Sequence, residues 1–134
     1  MESQHAAAVL IVSPEGIPLI KDPKKPVPRY WKLPGGRSEG SESPEECAVR
    51  EIKQEVGLTI DIDDLKILDQ EERFNHTLTI FRVDLTSLKG LKKIGDEQEE
   101  IMVFKDLKEV GMLPDLFPNH KRVVQKAFVS EMNK

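Results

Sequence analysis

Glu51 and Glu55 stand four residues apart in the stretch VREIKQEVGL, 49–58. On a helix advancing 100° per residue they lie about 40° apart, so their carboxylates neighbour each other on one side and repel. Left in water, such a pair costs a few tenths of a kcal/mol. A divalent cation such as Mg²⁺ or Mn²⁺ prefers oxygen ligands and would turn that repulsion into attraction. Val49, Ile52 and Val56 fall with Ala48 within an arc of about 100°, which must be the buried face. The two glutamates border that face, where carboxylates converge at the edge of a core. Gln54 sits about 60° from Glu51 and joins the rim of the same patch. The alternative reading is an acidic, solvated helix whose Glu45 and Glu46 merely favour the helix dipole.

The helix carrying these groups is sharply delimited. Ser43 suits the N-cap, Pro44 the first helical position and Glu46 the Ser-x-x-Glu capping box, while Gly57 suits a left-handed C-cap. The expected helix therefore has about 13 residues. Just ahead of it, PGG at 34–36 follows an extended segment, Tyr30 to Leu33, and reads as a tight turn. Its small residues let a metal or phosphate approach the backbone closely.

The rest of the chain supplies the frame. Ala6 to Val12 and Ile17 to Ile20 are apolar runs around SPEG, which predicts a hairpin. Prolines 23, 26 and 28 make the next segment a loop. Its Lys21, Lys24, Lys25 and Arg29 form either a solvated surface or a phosphate-attracting rim. LKILDQEERF and HTLTIFRVDL predict two paired strands, with Leu78, Ile80 and Arg82 on one face and Thr79, Phe81 and Val83 on the other. A polar loop, a short strand IMVF, a helical turn KDLKEVGML and a terminal helix with Val123, Val124, Ala127 and Phe128 on its apolar face complete the order. Strands and helices in this sequence predict an α/β or α+β sandwich, with a mixed, curved sheet between helices.

Bulk properties set outer limits. The 134 residues fit one domain, 1–134. A formal net charge of -4 gives no basic excess for nucleic acid. Cys47 is the only cysteine, so an intrachain disulfide is impossible and a secreted, disulfide-stapled scaffold is not expected. No apolar run approaches the roughly 20 residues that span a bilayer, and the first residues lack the positive flank of a signal peptide. These features point to a cytoplasmic protein, monomeric or homodimeric.

Beyond these physical readings, residues 36–58 resemble the signature of the Nudix hydrolases, the MutT-like pyrophosphohydrolases. That signature is a glycine, five residues, a glutamate, seven residues, then Arg-Glu-aliphatic-x-Glu-Glu-x-Gly-aliphatic. Gly36, Glu42, Arg50, Glu51, Ile52, Glu55, Gly57 and Leu58 stand at eight of its nine specified positions, and WKLPGG resembles the usual lead-in. The resemblance implies an α/β/α sandwich of the Nudix type and hydrolysis of a nucleoside diphosphate linked to another moiety, with Mg²⁺ or Mn²⁺ as cofactor. It implies that Glu51, Glu55 and the Gly36 carbonyl bind the metal, that Arg50 orients a box glutamate, and that Glu42 supports the loop. Gln54 departs from the pattern by replacing the first glutamate of the Glu-Glu pair. Either a cluster with fewer or weaker ions operates, or the chain is a slow enzyme or a nucleotide-sensing module.

The resemblance also implies a further acid before the strand IMVF, for which DEQEE offers Glu97, Glu99 and Glu100. Glu100, directly against the strand, is the candidate metal ligand or base. Arg37, Tyr30 and Phe81 are candidate substrate contacts, and His5 and His76 are either bases or ordinary surface and packing residues. A family mark for ADP-ribose, a proline soon after the box, is missing, and so is the tyrosine that marks dinucleoside polyphosphates. A small nucleotide, by subtraction a nucleoside triphosphate or a modified one, is the expected substrate.

Overall fold

In the computed structural model, residues 5–133 are described. Strand β1, His5–Val12, lies inside a four-stranded sheet of order β3-β1-β5-β4, where β3 is Gly35–Arg37, β4 Lys66–Glu72 and β5 Thr77–Asp84. β1 runs parallel to β5, from His5 opposite Thr77 to Val12 opposite Asp84, and the other pairings are antiparallel. Both faces of β1 are covered, which explains why it is apolar at successive positions instead of alternating. Ala7, Val9 and Ile11 pack with Phe81 and Val83 under helix α1, Pro44–Val56. Ala8, Leu10 and Ile80 pack on the other face against helices α2, Leu107–Gly111, and α3, Pro118–Met132. The architecture is thus the expected α/β/α sandwich.

The predicted hairpin is corrected. Strand β2, Ile17–Lys21, begins where expected but leaves the turn after a single Ser13–Gly16 bridge. It pairs along its whole length with β6, Glu100–Phe104, in a second, antiparallel sheet. Gly16 has φ +122°, and a Cβ there would lie 2.5 Å from the Phe104 carbonyl oxygen. Only glycine lets the chain turn against β6 so closely.

Helix α1 forms as its sequence dictates. Ser43 Oγ accepts from the Glu46 N–H at 3.1 Å, and the Glu46 carboxylate accepts from the Ser43 N–H at 2.9 Å. Gly57, at φ +86°, donates to the Ile52 and Lys53 carbonyls. With both ends fixed, the helix buries Cys47, Ala48, Ile52 and Val56, and that rotation sends Glu51 and Glu55 to one margin of the sheet. The β4–β5 hairpin, the short α2 and the apolar face of α3 also follow expectation. Arg82, at the end of the α3-facing row, ion-pairs Asp84 and Glu131. Among the described residues no helix is long and apolar enough to cross a membrane.

One buried polar group escaped the sequence reading. His120 on α3 is 6% exposed and accepts the Leu33 N–H through Nδ1 at 3.1 Å. Burial lowers its pKa to about 4, so the neutral ring acts as a structural clamp between α3 and the segment leading into PGG.

Candidate active site

The PGG segment is a strand rather than the expected tight turn. Gly35 to Arg37 pair with Ala8, Ala7 and Ala6 of β1, and Pro34 accepts the Val9 N–H at 2.9 Å. This edge brings backbone donors to α1. The Gly35 N–H meets the Glu55 carboxylate at 2.8 Å, and Cys47 donates its S–H to the Gly36 carbonyl at 3.5 Å. Gly36 is forced to be small, because a Cβ there would lie 2.5 Å from the Glu51 carboxyl carbon. Cys47 is fully buried, and burial pushes its thiol up to about 11, so it is no nucleophile.

Arg50 ties the loop to the helix. Its Nε and Nη2 reach the two Glu42 oxygens at 2.6 and 2.9 Å, Nη1 reaches Glu51 at 2.9 Å and the Gln54 amide oxygen at 3.0 Å, and Nη2 also reaches the Arg37 carbonyl. These hydrogen bonds lower the Glu42 pKa, with the Arg50 bond the main cause. A planar fork is needed to hold Glu42 bidentately and Glu51 at once. Arg50→Lys is therefore expected to cost about 10–100-fold in turnover, with a smaller effect on melting temperature, because lysine keeps a positive charge beside the mostly buried Glu42 and Glu51 carboxylates. Steady-state kinetics beside a thermal melt checks this; an unchanged kcat would show that Glu51 needs no such support.

Glu51, Gln54 and Glu55 face a cleft of about 690 Å³ together with Gly35, Gly36, Arg37 and the loop acids Asp96, Glu97 and Glu99. Glu55 is 7% exposed. Desolvation by burial pushes its carboxyl up to about 8, with Glu99 and Glu51 adding to the rise against the Gly35 hydrogen bond. Burial likewise raises Glu51, opposed by Arg50. One oxygen each from Glu55, Asp96 and Glu99 lie within 4.8 Å of one another. This all-carboxylate set fits a hard divalent cation, whose charge would favour the ionised Glu55 against the burial that raises its pKa.

Two sequence expectations change here, and one residue is added. Glu100 opens β6 as an exposed residue opposite Lys21 and does not line the cleft, whereas its neighbour Glu99 is buried in it. Side chains alternate along a strand, so a one-residue offset exchanges the faces. Phe81 is 1% exposed within the core under α1, which closes it to a ligand. Asp96, not singled out from the sequence, joins the cluster.

The other candidates keep surface positions. Arg37 lines the cleft, and Tyr30 packs edge-on against Phe117 in an adjoining cavity of about 290 Å³, which shares Asp22, Lys25 and Lys32 with the acidic cleft. His76 contacts Asn75, and the His5 N–H is bonded to Ser38; neither lines the acidic cleft.

A family model described as a NUDIX domain matches residues 2–127. The chain is 32% identical over 111 residues to an ADP-ribose pyrophosphatase of Methanocaldococcus jannaschii, in a match spanning 80% of this chain and 62% of that protein. It is 34% identical over 127 residues to a Bacillus subtilis protein provisionally named an 8-oxo-dGTP diphosphatase, spanning 92% of this chain and 78% of that one. The structure of a MutT protein from Methanosarcina mazei Go1 superposes with a TM-score of 0.74 at 20% identity, covering 100% of this chain and 99% of the other.

Proposed function

Since the chain belongs to the NUDIX family, we propose that it is a divalent-metal-dependent pyrophosphohydrolase acting on a nucleoside diphosphate linked to another moiety, foremost a nucleoside triphosphate or a modified one. The observation that carries this reading is the buried Glu55 with Asp96 and Glu99 beside it in a cleft that adjoins a cavity lined by Lys25, Lys32, Tyr30 and Phe117. The named activities of the relatives, hydrolysis of 8-oxo-dGTP or ADP-ribose, are both cleavages of a phosphoric anhydride.

Glu55, Asp96 and Glu99, with Glu51 and the Gly36 carbonyl at the cleft wall, are the groups that would hold Mg²⁺ or Mn²⁺. When bound, such an ion neutralises charge on the phosphate oxygens and lowers the pKa of a coordinated water. Arg37, Lys25 and Lys32 attract and orient the polyphosphate. Tyr30, beside Phe117, offers a face on which a base stacks. Glu51 takes the proton of the attacking water, since burial has already raised its proton affinity, and Arg50 holds it in place. A small nucleotide is then the partner, and this reading places the chain in the cytoplasm.

A hydrolysis panel tests the assignment: normal and oxidised nucleoside triphosphates, ADP-ribose and dinucleoside polyphosphates, each with Mg²⁺ and Mn²⁺. Cleavage of a triphosphate at rates above those for ADP-ribose is expected. Ligand-induced thermal stabilisation without cleavage of any member would overturn it in favour of a sensing module.

A further inference from the structure

The buried carboxylates of the cleft, Glu55 and Glu99, belong to different sheets. Glu55 projects from α1, which packs on β1 of the four-stranded sheet, whereas Glu99 immediately precedes β6, the partner of β2 in the second sheet. The segment 31–37 joins the two. At its start, Lys32 exchanges both backbone hydrogen bonds with Ile20 of β2, at 2.9 and 3.0 Å. Trp31 donates to the Asp115 carbonyl, and its own carbonyl accepts the Phe117 N–H, both at 2.8 Å. At its end, the Pro34 carbonyl accepts from Val9, and residues 35–37 pair with β1. The Leu33 N–H lies where the chain crosses between the sheets and belongs to neither ladder.

A buried N–H needs an acceptor, and α3 supplies it. His120 Nδ1 accepts from Leu33 at 3.1 Å, and the ring, 6% exposed, is held edge-on by Phe117 at a centroid distance of 5.2 Å. An imidazole that accepts through Nδ1 carries its proton on Nε2, so the ring has one tautomer here. Burial keeps it neutral and so preserves the acceptor. Just beyond the crossing, the Gly35 N–H donates to the Glu55 carboxylate at 2.8 Å. A shift of the crossing therefore moves the donor that orients Glu55, while Glu99 stays with the β2–β6 pair, where Glu100 faces Lys21.

We propose that His120 is a positioning residue for the reaction: by holding the Leu33 N–H at the crossing it sets the Gly35 donor, and with it Glu55, against Glu99. The inference rests on the hydrolase reading of the site and adds to it a group that touches neither substrate nor metal. It also says which kinetic constant responds. Tyr30 and Lys32, on the substrate side, flank Trp31 where Ile20, Asp115 and Phe117 anchor the chain without help from His120. KM should therefore hold while kcat falls.

The experiment compares two amides at position 120. Asparagine places its oxygen where imidazole places Nδ1, and glutamine carries its oxygen out to where Nε2 stood, so the variants differ in where the acceptor lies. Amide hydrogen exchange in the ligand-free protein, which needs neither metal nor turnover, reports on the crossing. In His120→Gln the Leu33 and Gly35 amides are expected to exchange about tenfold or more faster than in wild type, with the Phe81 amide of the β5 core unchanged. In His120→Asn all three are expected to keep wild-type rates. Kinetics on the substrate found by the hydrolysis panel is expected to show kcat lowered about tenfold or more in His120→Gln with KM changed less than about twofold, and most of kcat retained in His120→Asn. A thermal melt of each variant verifies the fold, and His120→Asn tests the proposal even where the glutamine variant is too unstable to assay. Wild-type protection of Gly35 in His120→Gln, or an asparagine variant with unprotected Leu33 and Gly35 amides and a lowered kcat, overturns the proposal. The expected exchange pattern in a protein that cleaves no nucleotide would overturn the hydrolase assignment and leave the positioning of Gly35 by His120 standing.

Discussion

Glu55→Gln is expected to lower turnover by about a thousandfold while making the metal-free protein more stable at alkaline pH. The activity loss follows from taking away a buried anionic metal ligand without changing shape; removal of one preorganised group of this kind typically costs about 10²–10³ in rate. The stability gain follows from linkage. The Glu55 carboxyl titrates near 4.5 in an unfolded chain and is pushed to about 8 in the folded one, first by burial and then by Glu99 and Glu51. Between those values the folded protein holds a proton that the unfolded chain has lost, so stability falls as pH rises through the window. The favourable contribution is complete below 4.5 and gone above about 8, with a ceiling of about 5 kcal/mol.

Glutamine still accepts from the Gly35 N–H and cannot ionise, so the variant lacks this slope. His120 acts in the opposite sense, because its pKa falls from 6.5 to about 4 on folding. Its contribution is present above 6.5 and lost as pH drops toward 4, equally in both proteins. The quantity to measure is therefore the difference in melting temperature between variant and wild type, in chelator, at pH 5, 7 and 9. A difference that does not grow with pH would mean that Glu55 is ionised throughout, with its charge already compensated within the protein. Added Mn²⁺ should then stabilise wild type and leave the variant nearly unmoved.

What could be read from the sequence depended on how local the deciding interactions are. Both ends of α1 were legible to the residue, because Ser43, Glu46 and Gly57 satisfy backbone groups within four or five positions of themselves. The rotation of the helix followed from Ala48, Ile52 and Val56, so the convergence of Glu51 and Glu55 was legible too. The partner of β2 was not. A turn signal at SPEG sets where a strand begins, but the choice of β6 over β1 depends on contacts about eighty residues away. The exchange of Glu100 for Glu99 has the same origin, since the face presented at the start of β6 depends on the Gly95–Gln98 turn, and Gln98 carries no signal for a left-handed conformation. Phe81 illustrates a different limit. An aromatic residue in a strand signals burial, and whether that burial lies in a ligand site or in a core is decided by what packs on the other face, here α1. The strand pairing of PGG was hidden because two consecutive glycines suggest a turn. Here they mark the close approach of one backbone to another.

That close approach makes Gly35→Ala the most damaging single methyl on this side of the molecule. A Cβ at residue 35 would lie 2.0 Å from the Ala7 carbonyl oxygen and 2.7 Å from the Ala8 Cα. Both are backbone atoms of the central strand, held from the other side by β5, so they cannot give way. β3 must instead leave the sheet edge. With it go the pairing of Gly35 to Arg37 along β1 and the hydrogen bond from the Gly35 N–H to Glu55. Overpacking of this kind typically costs about 1–3 kcal/mol, and loss of edge hydrogen bonds carries it higher. Activity should vanish along with the positioned Glu55. Gly36→Ala provides the contrast, because its Cβ would meet the carboxyl group of Glu51, the far end of a side chain with rotamers to spare. That variant is expected to melt close to wild type while losing most of its turnover, since Glu51 must swing away from Arg50 and the cleft. Denaturant titration and kinetics on both variants check the ordering. If Gly36→Ala proves as unstable as Gly35→Ala, the Glu51 carboxylate has no other rotamer to take up and is held rigidly by Arg50.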